Sequence, residues 1–144
     1  MVEFALIVPV LAAVFVATFS ISITSARALH VGAVSRTAGA LAASGADLAS
    51  DDGKRRVLDA ARGLGFEKGD ATIFITEISR DASGYRIVRQ SAFGNAVRWK
   101  SAIQAPEGIV ELEPGEKAWV TEVIAESYAL GGIGPAELRA RNVS

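Results

Sequence analysis

Between Phe4 and Ala26 the segment FALIVPVLAAVFVATFSISITSA runs 23 residues without a formal charge. As a helix it would measure roughly 34 Å at about 1.5 Å per residue, enough for a bilayer's ~30 Å hydrocarbon layer. Its strictly apolar part, Phe4 to Ala17, is shorter and gives way to Thr18, Ser20, Ser22, Thr24 and Ser25. No lysine or arginine precedes Phe4, so the run does not read as an intact cleavable signal. The expectation is that it belongs to the mature chain.

Charge is divided unevenly. Of 15 basic and 16 acidic residues, only Glu3, Arg27, Arg36 and Asp47 fall within residues 1–50. The composition changes near DLASDDGKRR, which divides the chain into a hydrophobic helix over 1–50 and a head over 51–144. Beyond the apolar run, Val34, Ala38, Leu41, Gly45 and Leu48 recur at spacings of three and four, an apolar helical stripe. One helix from Val2 to about Ser44 is predicted. It is too long to pack wholly on so small a domain, so part of it protrudes. Alanine and glycine dominate its second half and permit close helix approach. Leu6, Val10, Val14, Phe15, Gly32 and Gly39 are the positions expected to pack against other helices.

Two residues in the run need a reason. Pro9 removes a backbone donor and crowds the Ala5 carbonyl, which bends or locally opens a helix; a harmless kink near a helix end is the bland alternative. Glu3 is open to three readings. It favours the helix dipole in the first turn, or it marks the aqueous edge of a membrane span. In the third reading it is buried among packed helix N-termini, where a lone carboxylate needs a cation. The nearby cation is the α-amino group of Met1, from its own chain or a neighbour's.

The stretch VEFALIVPVL, residues 2–11, resembles the opening of the TadE/TadG-like branch of the type IV pilin superfamily, from tight-adherence pilus systems. ALHVGAVSRTAGALAASGADL is similar to the alanine-rich continuation of those helices. The resemblance is strong over about ten residues and weaker to about residue 48; Glu3 stands two positions earlier than that branch's usual mature glutamate. It implies a leader removed by a peptidase, a subunit held in the inner membrane, and delivery by pilus assembly machinery into a surface filament. By the same resemblance Glu3, with Met1 and Phe4 beside it, serves membrane extraction and subunit registration, and Pro9 opens the helix.

The remaining two-thirds reads as a compact α+β head with an antiparallel sheet. DDGKRRVLDAARGLGF predicts a short helix capped by Asp51 or Asp52 and stopped at Gly63 or Gly65. ATIFITEIS and YRIVRQ flank DASG as a hairpin over 71–90. NAVRWKSAI (95–103) is expected as a third strand. KAWVTEVIAESYAL (117–130) is the longest strand signal, with Trp119, Thr121, Val123 and Ala125 on one face. ELRARNV is the last strand candidate.

Catalytic chemistry finds little foothold. With no cysteine and one histidine, thiolate zinc, c-type haem and thiol nucleophiles are excluded and most transition-metal sites are improbable. His30, alone on a helix, reads as structural or exposed, with no nucleophile motif to serve. GLGFEKGD lacks the Rossmann and Walker spacings. Glu107, Glu111, Glu113 and Glu116 lack the ligand alternation of a calcium loop and read as a solvated turn. Asn142-Val143-Ser144 fits a glycosylation sequon, a short and weak pattern. Trp99, Trp119, Phe74 and Tyr128 read as core or interface aromatics, at least two of them core. A net charge of −1 with no Lys/Arg cluster gives no reason to expect nucleic acid. The expectation is therefore a structural subunit, not an enzyme, without cofactor or metal, polymerising through its N-terminal helix into an extracellular pilus for adhesion or colonisation. The alternatives are a minor pseudopilin priming such a filament, or a single-pass anchored envelope protein with a ligand-binding head.

Overall fold

The computed structural model describes residues 2–48, 50–63, 66, 71–94, 100–101, 103–104, 108–126 and 137–144. A long helix, α1 (Val2–Ala43), is followed by a short one, α2 (Asp51–Gly63), and four strands: β1 (Ala71–Asp81), β2 (Gly84–Gly94), β3 (Lys117–Glu126) and β4 (Glu137–Val143). All neighbouring strands pair antiparallel, in the order β2-β1-β3-β4. This is the α+β layout expected, a long apolar helix with a small sheet-bearing head.

α1 runs through Pro9 without interruption for 42 residues. It stops where Gly45 turns to a φ of 81°, a conformation that a side chain would strain. The Gly45 N–H donates to the Ala42 carbonyl at 3.0 Å and the Ala46 N–H to that of Leu41 at 3.2 Å. These are the two closing bonds of a Schellman cap. The start of α2 corrects the expected cap. Ser50, not Asp51 or Asp52, holds it, its Oγ accepting the Gly53 N–H at 3.1 Å; the two aspartates occupy the first turn, where they favour the dipole.

The β1–β2 hairpin turns at Ala82-Ser83, with Asp81 paired to Gly84, and extends to Gly94 rather than residue 90. Asp81 stabilises the turn by accepting from the Ser83 N–H at 2.8 Å and from the Ser83 hydroxyl. Those bonds, the hydroxyl's first, hold its carboxyl below the usual carboxylate range. Of the expected third strand, residues 95–99 and 102 lie outside the described residues; Lys100, Ser101 and Ile103 belong to no strand. The ELRARNV segment forms β4 as expected, and Ser144 prolongs its ladder by exchanging bonds of 2.9 and 2.7 Å with Trp119.

One face of the sheet carries the second half of α1 and, beside it, α2. Val31, Val34, Ala38 and Ala42 of α1 share a core with Val57, Ile73, Ile75, Val123, Ala125 and Leu138. The core thus reaches back across the compositional break near residue 50. The other face is covered by the β2–β3 connection, where Ile103 and Leu112 pack on Ile78, Ala118 and Val120. Central strands β1 and β3 are therefore buried on both faces. The expected face of β3, Trp119-Thr121-Val123-Ala125, is the one turned to α1, and Val120, Glu122 and Ile124 are equally enclosed behind it. Phe74 is buried and Trp119 half-buried; Trp99 and Tyr128 lie outside the described residues.

Candidate assembly surface

α1 meets two environments along one axis. From Arg27 upward it is seated in the head: Val31, Val34 and Ala38 are each 1% exposed. Polar ties fix its position. The Arg27 guanidinium donates to the Glu126 carbonyl at 2.9 Å, at the end of β3, and the Ser35 hydroxyl to the Thr121 carbonyl at 3.2 Å. Gly39 is buried against β4 so closely that a Cβ there would stand 1.9 Å from Asn142 Nδ2. The close packing expected of Gly39 is thus made to its own head, and the sequon asparagine is wedged against α1. Gly32 is half-buried, and what stands nearest is Arg36, 3.6 Å from where its Cβ would be.

Below Arg27 the helix opens progressively: Ile23 and Thr24 are half-buried, Ser20 is 1% exposed, and from Phe19 down to Ile7 only Ala17 is less than exposed. Nine large apolar side chains between Ile7 and Ile21 are exposed, from 47% at Val16 to 72% at Phe15; Val10 stands at 61% and Val14 at 58%. At about 100 Å² each they present roughly 900 Å² of apolar surface, beyond the ~300–600 Å² of a typical monomer's largest patch. Phe15 and Phe19, one turn apart, stack with centroids 6.3 Å apart. Glu3, Phe4 and Leu6 fall in the first turns of α1, and Met1 lies outside the described residues; the pairing of Glu3 with an α-amino group concerns side chains outside the described set.

Three of the hydroxyls that interrupt the oily run are satisfied within the helix, whereas the buried Thr24 Oγ1 has no hydrogen-bond partner among the described residues. Thr18 donates to the Val14 carbonyl at 2.8 Å, Ser20 to Val16 at 2.9 Å and Ser22 to Thr18 at 2.9 Å. Such bonding to the preceding turn satisfies the donor inside the helix. By length and composition the span Ile7–Ala43 of α1 is able to cross a membrane: its most apolar 18 residues have a mean hydropathy of 2.2, and 6% of them are buried.

The head holds a polar cluster that sequence reasoning missed. Glu122, 2% exposed, takes the Ser101 hydroxyl at 2.8 Å and stands 3.6 and 3.7 Å from Arg139 and Arg141. Gln90 adds bonds to Thr76, Ser101 and the Ile103 carbonyl. A buried carboxylate demands such partners, and here they fasten the β2–β3 connection to the sheet. The signal available was the alternation Arg139-Ala140-Arg141, whose charged face lies opposite Glu122 in the β3–β4 register. An open depression of about 570 Å³ is lined by Arg80, Tyr85 and Glu111 to Glu113 with Glu116. Its arginine is engaged, donating to the Leu112 carbonyl at 2.6 Å and lying over the Tyr85 ring, while the Glu116 carboxylate accepts the Glu113 N–H. Among the described residues no group of three or more histidines and acids is placed to hold a metal ion. His30 is exposed on α1.

Compared with family models, curated proteins and solved structures, the chain finds no match in any of the three.

Proposed function

We propose that this chain is a pilin-like structural subunit of the TadE/TadG-like kind, which polymerises through the free half of α1 into a surface filament for adhesion or colonisation. One observation carries the reading: an unbroken helix has its upper half locked into a folded head, while the stretch Ile7 to Phe19 is exposed at every position but the half-buried Ala17. A surface of roughly 900 Å² exceeds the ~800 Å² per partner of an ordinary stable interface. Uncovered in water it would cost about 25 cal/mol per Å². Lipid of the inner membrane covers it in the lone subunit. In the filament sister helices replace the lipid, and that exchange gains from close packing and polar pairing rather than from dehydration. Glu3, at the free end, then finds a cation among neighbouring N-termini. An open, non-closing association of this kind generates a fibre.

The test is Glu3→Ala in cells that assemble the wild-type chain. Fibre yield in sheared surface material should fall to background while the head remains folded and in the membrane. Fibres at normal yield would count against the pairing. A wild-type chain recovered only as a detergent-soluble monomer would favour a single-pass anchored envelope protein.

A further inference from the structure

The head covers α1 on one side only. Val31, Val34 and Ala38, at spacings of three and four, are buried in the core shared with the sheet. Two residues before Val31, and so about 200° around the helix, Leu29 stands 69% exposed. The outward face it marks runs through Thr18, Ser22, Ser25, Leu29, Ala33 and Arg36 at the same spacings. All of them are exposed except the half-buried Ala33. The Thr18 and Ser22 hydroxyls donate to carbonyls of their own helix, so neither donor needs water. α1 has three charged residues, Glu3, Arg27 and Arg36. Glu3 stands at the start of the helix and Arg27 is turned to the head. Arg36 is therefore the first charge met on the outward face, and it is exposed.

We infer that the outward face from Ser22 to Ala33 is a second lipid-contacting surface, against which a phospholipid bilayer rises beside the head, and that Arg36 ends it at the lipid phosphates. The inference rests on the reading of α1 as the membrane-held element and adds how the head sits over the lipid. Lipid is the occupant because the face continues the exposed run from Ile7 to Phe19 without a charge, and because its terminal guanidinium suits a phosphate. Lengths then set the posture. Phe4 to Phe19 is 16 residues, about 24 Å of helix, short of the ~30 Å hydrocarbon layer. In an upright helix with Glu3 at the lower boundary, Leu29 would stand about 39 Å up, roughly 9 Å above the hydrocarbon. A tilt of about 30° toward the outward face, within the range of membrane helices, lowers it to about 34 Å. Its side chain points back along the helix and reaches the acyl chains. Arg36 comes down from about 50 Å to about 43 Å, and its long stem spans the remainder to the headgroup layer. The head lies on the opposite side of α1, so the same rotation lifts it away from the lipid.

The chain contains no cysteine, so one introduced thiol carries a spin label without background. The full chain is reconstituted into vesicles of phosphatidylcholine and phosphatidylglycerol, and each label's accessibility to oxygen is compared with that to a water-soluble nickel chelate. Leu29→Cys should give an oxygen-to-nickel ratio severalfold above that of Val88→Cys, exposed on β2, and close to that of Val14→Cys. Ser25→Cys is the second reporter on the same face and should agree with it. Arg36→Glu should lower the ratio at Leu29 severalfold and leave that at Val14 unchanged, because lipid phosphates repel an acid. Water-like ratios at Leu29 and Ser25 beside a lipid-like ratio at Val14 would overturn the outward contact and leave the membrane-held free half standing. Water-like ratios at all three would overturn both. Dipolar broadening between Leu29 labels on neighbouring copies would overturn lipid as the occupant in favour of a sister helix. An unchanged ratio at Leu29 in the Arg36→Glu chain would overturn the phosphate contact.

Discussion

One substitution placed at two heights on α1 separates the free half from the seated half. Val14 is 58% exposed and Val34 is 1% exposed, yet both sit in the interior of one helix. Valine and aspartate have similar helix propensities, so valine-to-aspartate at each position reports environment and not local preference. Val34→Asp loses the burial of a valine, about 1.5–3 kcal/mol. It also places a carboxylate among Val31, Ala38 and Val123, where the described core supplies no cation, at a further ~2 kcal/mol or more. A loss of about 5 kcal/mol equals the whole stability of many domains this size and would lower Tm by roughly 20 °C or more. Val14→Asp touches none of the head's core and should change its stability by no more than about 0.5 kcal/mol. The assay is thermal unfolding of detergent-purified protein by circular dichroism, beside fibre yield from cells. The expected pattern is an unfolded head for Val34→Asp, and a normal head without fibres for Val14→Asp. Equal destabilisation by both would mean that the lower half is packed on its own head, and would refute the reasoning.

Three further outcomes follow from the geometry. Gly39→Ala gains about 0.5–1 kcal/mol of helix propensity but drives its Cβ into Asn142; in a double-mutant cycle of head stability, Gly39→Ala should be more favourable in an Asn142→Ala background than in the wild type, and strict additivity would argue against the contact. Ser50→Ala removes the α2 cap and should cost about 1 kcal/mol in chemical denaturation, with no change meaning that Asp51 or Asp52 takes over the role. Because the Asp81 carboxyl is held below its ordinary value of 3.8 by the Ser83 bonds, the turn is fully stabilised above that value and loses the contribution as pH falls through the lowered one. Asp81→Asn should flatten this acid dependence, read by hydrogen exchange at the hairpin, and an unchanged profile would contradict the assignment.

Much of the architecture was legible because it rests on pattern. An uncharged run followed by a small-residue stripe cannot be other than helix over that length, and the strand signals around DASG frame a two-residue turn. The helix cap was read as Asp51 or Asp52 because acids in a first turn and a capping oxygen are the same residue types, and only backbone geometry assigns Ser50. Residues 95–103 read as strand from composition, but Ser101 and Ile103 serve instead as polar and apolar fastenings of a covering segment. The alternation Arg139-Ala140-Arg141 hinted at a charged strand face, but the burial of Glu122 depends on the register that brings those arginines across from β4. In the candidate assembly surface, exposure of the lower half of α1 was expected from its length. That Gly39 serves the head, and that Arg36 marks the outward face, came from packing.

The most direct measurement is a reconstruction by electron cryomicroscopy of fibres sheared from the cell surface, at a resolution that separates helices. The account predicts α1 segments at the fibre axis, each lower half lying about 8–10 Å from those of sister subunits, with the sheet-bearing heads outside. Fibres without this chain, or a lower half found solitary in lipid or folded against its own head, would contradict it.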